Sequence, residues 1–266
     1  MNEVNELNCN FILVKLITNL LTDILILFFV ALGAGGLAFY LPRSSNGNYK
    51  LALVFAGSYL FSITIIHILP ELFHQDIQPG YVGMFVLAGF FLQQGLEFLS
   101  TGVEHGHIHV HDSGHQHKES SAILVLIALG IHALLEGGLL AHPRTVEHHH
   151  DSNTLLWGIL LHKAPEAFAL MSVLLCEMKS KSRAVLYLVL FASASPVGLY
   201  LSDFLLTSQS MSARLFTFLF ALVSGNFLHI STTIVFESSL EHKFNARKTG
   251  VAIAAASVAI AAELVF

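Results

Sequence analysis

Charged residues are scarce in this chain. Asp, Glu, Lys and Arg together make up 12% of its 266 residues, against about a quarter in a soluble domain. Those present fall in short segments between long apolar runs, which excludes an ordinary soluble fold. Cysteine is nearly absent: the two are Cys9, in the N-terminal tail, and Cys176, far along the chain. They are placed too far apart to pair, so no disulfide framework is expected. No Gly-rich phosphate loop occurs, which argues against ATP-driven work by this chain. The start, Met1 to Asn10, is acidic and lacks a basic n-region; a cleaved signal peptide is not expected, and the first apolar run should be retained. The net charge of -5 says little, because charge placement matters more than the sum; no nucleic-acid partner is expected.

What is present is hydrophobic. Apolar residues reach 54% and the mean hydropathy is +0.68. The pattern predicts an all-α integral membrane protein, 1–266 forming a single transmembrane domain in the lipid bilayer. Eight spans of about 20 residues, the length a bilayer crossing requires, are expected at 19–41, 51–74, 80–101, 120–141, 154–178, 184–206, 212–238 and 248–266. Lys and Arg are distributed unevenly. Arg43 and Lys50 follow the first span, Lys118 the third, Lys179, Lys181 and Arg183 the fifth, and Lys243, Arg247 and Lys248 the seventh. The other side holds Lys15, Arg144 and Arg214. The positive-inside rule then puts both termini outside the cell membrane and the loop 102–119 in the cytosol.

Against this apolar background, ionisable residues inside the spans stand out, because such groups are costly in lipid and mark ion or proton paths. The fourth span carries His132-Ala-Leu-Leu-Glu136-Gly137 and the fifth His162-Lys-Ala-Pro-Glu166-Ala167. Residues four apart share one helix face, so two neighbouring helices with the same His-x-x-x-Glu pair suggest one shared metal site. Two imidazoles and two carboxylates suit Zn²⁺, with Fe²⁺ and Mn²⁺ remaining open. The glutamates would neutralise a divalent cation in a low-dielectric interior. A third pair, His67-Ile-Leu-Pro-Glu71, lies near the outer end of the second span, and the seventh contains Asn226, His229, Ser231, Thr232 and Thr233. His67, Glu71 and His229 are candidates for the metal's pathway. Gln93, Gln94, Ser231 and Thr232 are expected to serve as interhelical glue. Pro70, Pro165 and Pro196 interrupt three spans, and Pro165 frees the carbonyl of Leu161 beside His162, consistent with a cavity lining.

Together these motifs resemble the ZIP (Zrt/Irt-like) family of divalent metal transporters, over essentially the whole chain. The resemblance rests on the eight spans, the outside termini and the His-rich loop after the third span. It rests also on His67-Ile-Leu-Pro-Glu71, His132-x-x-x-Glu136-Gly137, His162-x-x-x-Glu166 and Ser224-Gly-Asn-Phe-Leu-His229. It implies a 3+2+3 bundle in which spans 1–3 and 6–8 form an inverted repeat and spans 4 and 5 carry the transport site. It further implies movement of zinc, or of iron, manganese or cadmium, into the cytosol by alternating access, the metal being substrate rather than cofactor, and a homodimeric assembly. Some family members hold two adjacent metals. The positions that build their second site are here Ala133, Lys163 and Ser195. A lysine ammonium cannot ligate, so a single metal is expected on His132, Glu136, His162 and Glu166, with Lys163 replacing the second. The proline seen in the fourth span of many members is here Leu135.

The loop histidines His105, His107, His109, His111, His115 and His117 form a low-complexity tract of the kind that binds metal weakly. A second cluster, His148 to His150, falls in the loop on the opposite side. Two other readings compete. An exporter could use the same ligands, although eight spans with outside termini favour import. A membrane metalloenzyme would need converging histidine clusters or a His-Glu-x-x-His motif; the clusters sit on opposite sides and the motif is absent, so no enzymatic activity is expected.

Overall fold

The computed structural model describes residues 2–40, 47–100, 118–141, 151–178, 180–237 and 245–265. The loop histidines His105 to His117 and the cluster His148 to His150 lie outside the described residues. The elements are α1 (Asn2–Gly36) with a short 3₁₀ turn (Leu37–Phe39), α2 (Gly47–Ile63), a π-helical turn (Thr64–Ile68), α3 (Leu69–His74), α4 (Pro79–Ser100), α5 (Lys118–Leu139), α6 (Asp151–Glu177), α7 (Lys181–Thr207), α8 (Ala213–Glu237) and α9 (Ala246–Val265). No strand occurs among the described residues.

Among the described residues, seven helical segments are long and apolar enough to cross a membrane: Thr18–Phe39, Lys50–His74, Pro79–Leu99, Ala122–Leu139, Thr154–Glu177, Lys181–Thr207 and Ala213–Val235. They match the first seven expected spans. The eighth, α9, forms as a helix but is not among the seven; Arg247 and Lys248 at one end and Glu263 at the other shorten its apolar centre. The second span also departs from a plain helix. Pro70 has no N–H to give, and its ring excludes the carbonyl one turn back. The chain widens into the π turn instead, and the N–H of Leu69 donates to the Thr64 carbonyl five residues earlier. Turns of this type concentrate at functional sites, and this one carries His67.

Neighbour relations obey a two-fold exchange. The main pairs are α4 with α8 and α2 with α9, then α5 with α7 and α1 with α6. Exchanging spans 1–3 with 6–8 and span 4 with 5 converts each pair into the other of its couple, as an inverted 3+2+3 repeat requires.

Close helix approach is set by glycines. A Cβ at Gly89 would meet the Leu222 carbonyl oxygen, and one at Gly225 would meet that of Val86, so α4 and α8 lie backbone to backbone. Gly137 and Gly198 do the same for α5 and α7, against Ser195 and Leu134. Lipid offers no hydrophobic drive between helices, and association comes instead from this contact and from interhelical polar bonds. Asn226 supplies one at the α4–α8 crossing: its amide donates to the Leu222 and Gly89 carbonyls, the latter at 2.6 Å. Among the described residues, Ser231 and Thr232 donate within their own helix rather than across to a neighbour. Their hydroxyls donate to the Phe227 and Leu228 carbonyls of their own helix, the nearest acceptors one turn back.

Among the described residues, the buried apolar side chains form two large clusters along the bundle and a small third one of Leu53, Ile230 and Ile234. Of the two large ones, one takes Leu139 to Ala141 from the end of α5 and Leu155 to Leu160 from the start of α6. The other takes Ala122 to Ala133 of α5 and Ala167 to Met178 of α6. Both helices change cluster at the level of their His-x-x-x-Glu segments. Facing outward, Phe91, Leu190 and Ile253 are all more than half exposed, as lipid-facing side chains would be.

Gly225→Ala should destabilise the protein by about 1–3 kcal/mol, the usual cost of overpacking, because α8 and α4 must part. Gly83 faces open space, so Gly83→Ala should be near neutral. Thermal unfolding of both variants in detergent checks this, and equal melting points would refute the contact.

Candidate metal centre

His132 and Glu136 stand one turn apart on α5, and His162 and Glu166 one turn apart on α6. All four are fully or almost fully buried. One ligand atom each from His132, Glu136 and His162 can be chosen so that all lie within 4.8 Å of one another. Zinc with bond lengths of about 2.0–2.1 Å holds tetrahedral ligands about 3.3 Å apart, so the donors must close by up to about 1.5 Å. The two imidazole rings meet edge to face with centroids 5.8 Å apart.

Glu166 is drawn to the same centre by a cation. The Lys163 ammonium donates to Glu136 Oε2 at 3.0 Å and lies 3.5 Å from Glu166 Oε2. Lys163 is itself wholly buried, and its Nζ sits 4.5 Å from the centroid of the Phe191 ring. One turn further along α7, Ser195 donates to the Ala133 carbonyl at 2.9 Å. Three helices thus close around the site: α5 and α6 bring the donors, and α7 brings the aromatic face and a hydrogen bond that holds it to α5. Pro165 lies inside α6 without ending it.

The other candidates form two separate stations. His67, on the π turn, pairs through Nδ1 with Glu263 Oε1 at 2.9 Å, and its Nε2 lies 3.8 Å from Glu71 Oε2. Side-chain exposures of 10% for His67, 25% for Glu71 and 29% for Glu263 set it apart from the closed centre. Sequence reasoning passed over Glu263; its signal was a carboxylate late in an otherwise apolar helix. His229 Nε2 lies 2.6 Å from Glu97 Oε2, with the Phe90 ring edge-on to the imidazole. His229 therefore joins α8 to α4, and is not part of the His132–Glu136–His162 group. Cys176 is a free, exposed thiol.

Comparison with known proteins identifies the family. A family model described as ZIP Zinc transporter matches residues 103–260, more than half of the chain. The chain belongs to the ZIP zinc transporter family. It is thus a multi-pass membrane protein, as its apolar helices indicate. It is 31% identical to zinc transporter ZIP9 of Micropogonias undulatus over 157 residues, 55% of this chain and 50% of that protein. It is 28% identical to zinc transporter ZIP9 of Xenopus tropicalis over 163 residues, 59% of this chain and 52% of that protein. The chain spans about half the length of these curated relatives.

The His67–Glu263 pair ties α9 to the π turn. A double-mutant cycle of His67→Ala and Glu263→Ala, read by thermal unfolding, should give a coupling of about 0.5–1 kcal/mol, the upper range for partly exposed pairs. Additive effects would remove the tie.

Proposed function

We propose that this protein moves a divalent metal, zinc foremost, into the cytosol through one site formed by His132, Glu136, His162 and Glu166. The convergence of His132, Glu136 and His162 within 4.8 Å carries the reading. Two imidazole nitrogens and two carboxylates match the ligand preference of zinc, and the family to which the chain belongs supports metal as cargo. The centre is buried on every side, so a metal must reach it by opening toward each face of the membrane in turn.

The stations fall on either side of it. In the orientation set by Lys and Arg, with both termini outside, His67, Glu71 and Glu263 stand toward the outer face and receive the metal. His229 and Glu97 stand on the inner half and line its release. The cytosolic tract His105 to His117 then binds released metal weakly. Lys163 takes the place of a second metal: its ammonium already lies against one oxygen of each glutamate, 3.0 Å from Glu136 and 3.5 Å from Glu166. The single-domain chain works as a transporter, not an enzyme, with the lipid bilayer as its surroundings and a homodimer as its assembly.

The test is initial-rate entry of Zn²⁺ into proteoliposomes, with Fe²⁺, Mn²⁺ and Cd²⁺ run separately to rank the metals. His132→Ala and Glu166→Ala should each lower entry at least tenfold, to the level of empty liposomes. Undiminished entry in both variants would move the transport site elsewhere, and metal movement only outward would reverse the direction.

A further inference from the structure

Between the outer station and the metal centre lies a side chain to which the transport reading gives no part. Tyr59, on α2, is 3% exposed and precedes His67 by about two turns of that helix. Its ring crosses to α6. A Cβ at Gly158 would meet the ring edge, Cε1 at 3.3 Å and Cδ1 at 3.6 Å. The hydroxyl donates to the Thr154 carbonyl over 3.4 Å, a long hydrogen bond. Thr154, Gly158 and His162 stand one turn apart in succession along one side of α6. The ring therefore covers the side of α6 that bears His162, one turn nearer the outer face than the histidine. Around it Leu27, Leu60, Leu139, Leu155 and Ile159 belong to the same buried cluster.

We infer that Tyr59 gates the outer side of the metal centre: its ring is the lid that a cation must displace to pass from His67, Glu71 and Glu263 to His132, Glu136, His162 and Glu166. The inference rests on the transport reading and on its orientation. Three features suit a lid. The ring lies between the two stations on both helices it touches, inward of His67 on α2 and outward of His162 on α6. Its seat is a glycine, which presents backbone alone to the ring and has no side chain to interlock with it. Its fastening is weak and polar. A long bond to a carbonyl is readily exchanged for one to water, and a tyrosine turned out of its seat presents a polar tip to a wet path while its ring stays against apolar neighbours. An aliphatic side chain at 59 would fill the same space without that second resting place.

A tyrosine that only packs α2 against α6 would, on removal, loosen the centre toward both sides of the membrane alike. A lid protects it from one side. A reporter thiol separates the two without calling on transport. His162→Cys places the thiol in the centre itself, in a background of Cys9→Ser and Cys176→Ser, which leaves no other cysteine. A membrane-impermeant thiol reagent is then added, free of metal, to intact cells or to inside-out vesicles. With Tyr59→Ala, labelling from the outer side should be at least about tenfold faster than with tyrosine, because the open population rises. Tyr59→Phe keeps the ring and should stay within about threefold of the tyrosine rate. Labelling from the cytosolic side should not change in either. An unchanged outer rate in Tyr59→Ala, an equal rise from both sides, or a Tyr59→Phe rate equal to that of Tyr59→Ala would overturn the inference. If Tyr59→Ala does not fold, Tyr59→Val is read in its place, and failure of both to fold would give the ring a packing role and overturn it too. Each of these outcomes leaves the transport reading standing, since that reading falls only with metal entry through the unaltered protein.

Discussion

Two carboxylates in a lipid-spanning bundle are the constraint around which this molecule is arranged. Glu136 and Glu166 have no access to water, and isolated ions in such a place are prohibitively costly. Lys163 offsets part of that cost from within the same helix as Glu166. Placing Lys163 one residue after His162 aims the imidazole and the ammonium in different directions around the helix, because successive residues are rotated by about 100°. The ligand and the counter-ion therefore approach the same carboxylates from different sides, and α7 must close the gap behind the lysine. Phe191 and Ser195, one turn apart on α7, do so.

That closure depends on how near α7 can come to α5. Gly137 follows the ligand Glu136 directly, and Gly198 answers it from α7, so the two backbones touch beside the site. A side chain at Gly137 would push α7 away and open the cavity around Lys163. The glycine in the Glu136-Gly137 dipeptide is thus part of the site's electrostatics, though it carries no charge: it keeps the surroundings close enough to exclude water. The reciprocal glycines of α4 and α8 perform the same task in the other half of the bundle, where His229 and Glu97 meet.

Much of this was legible in the sequence. Helical class, seven of the eight expected spans and the three His-x-x-x-Glu pairs follow from hydropathy and from a four-residue spacing, both local properties of the chain. Span boundaries were close, since Lys181 and Ser180 mark the start of α7 and the Ser180 side chain caps it. What was not legible depends on pairing between distant segments. Glu263 stands alone in its helix, and only the approach of α9 to α2 gives it His67 as a partner. The partner of His229 is Glu97, on a helix more than a hundred residues earlier, and no spacing rule connects them. The π turn at Thr64–Ile68 was hidden for another reason: Pro70 announces a disturbance of the helix but leaves its form open, and a kink, a break and a widened turn all satisfy the missing N–H.

The stations differ in exposure, and that difference sets an order on what a cation would lose along the way. His67, Glu71 and Glu263 keep side-chain exposures of 10–29%, so on the proposed path a metal held there would retain part of its water shell. At His132, Glu136 and His162 no exposure remains, and every water must be exchanged for a protein donor. Spreading dehydration over two steps lowers the largest single barrier. Both stations offer the same chemistry, an imidazole with a carboxylate one turn away: on the proposed path a borderline cation would move between them without a change of ligand type. The π turn fits this logic. A helix that widens by one residue turns its later side chains by roughly a quarter circle, so the π turn re-aims His67 and Glu71 relative to the preceding turns of α2, which pack on both α9 and α8.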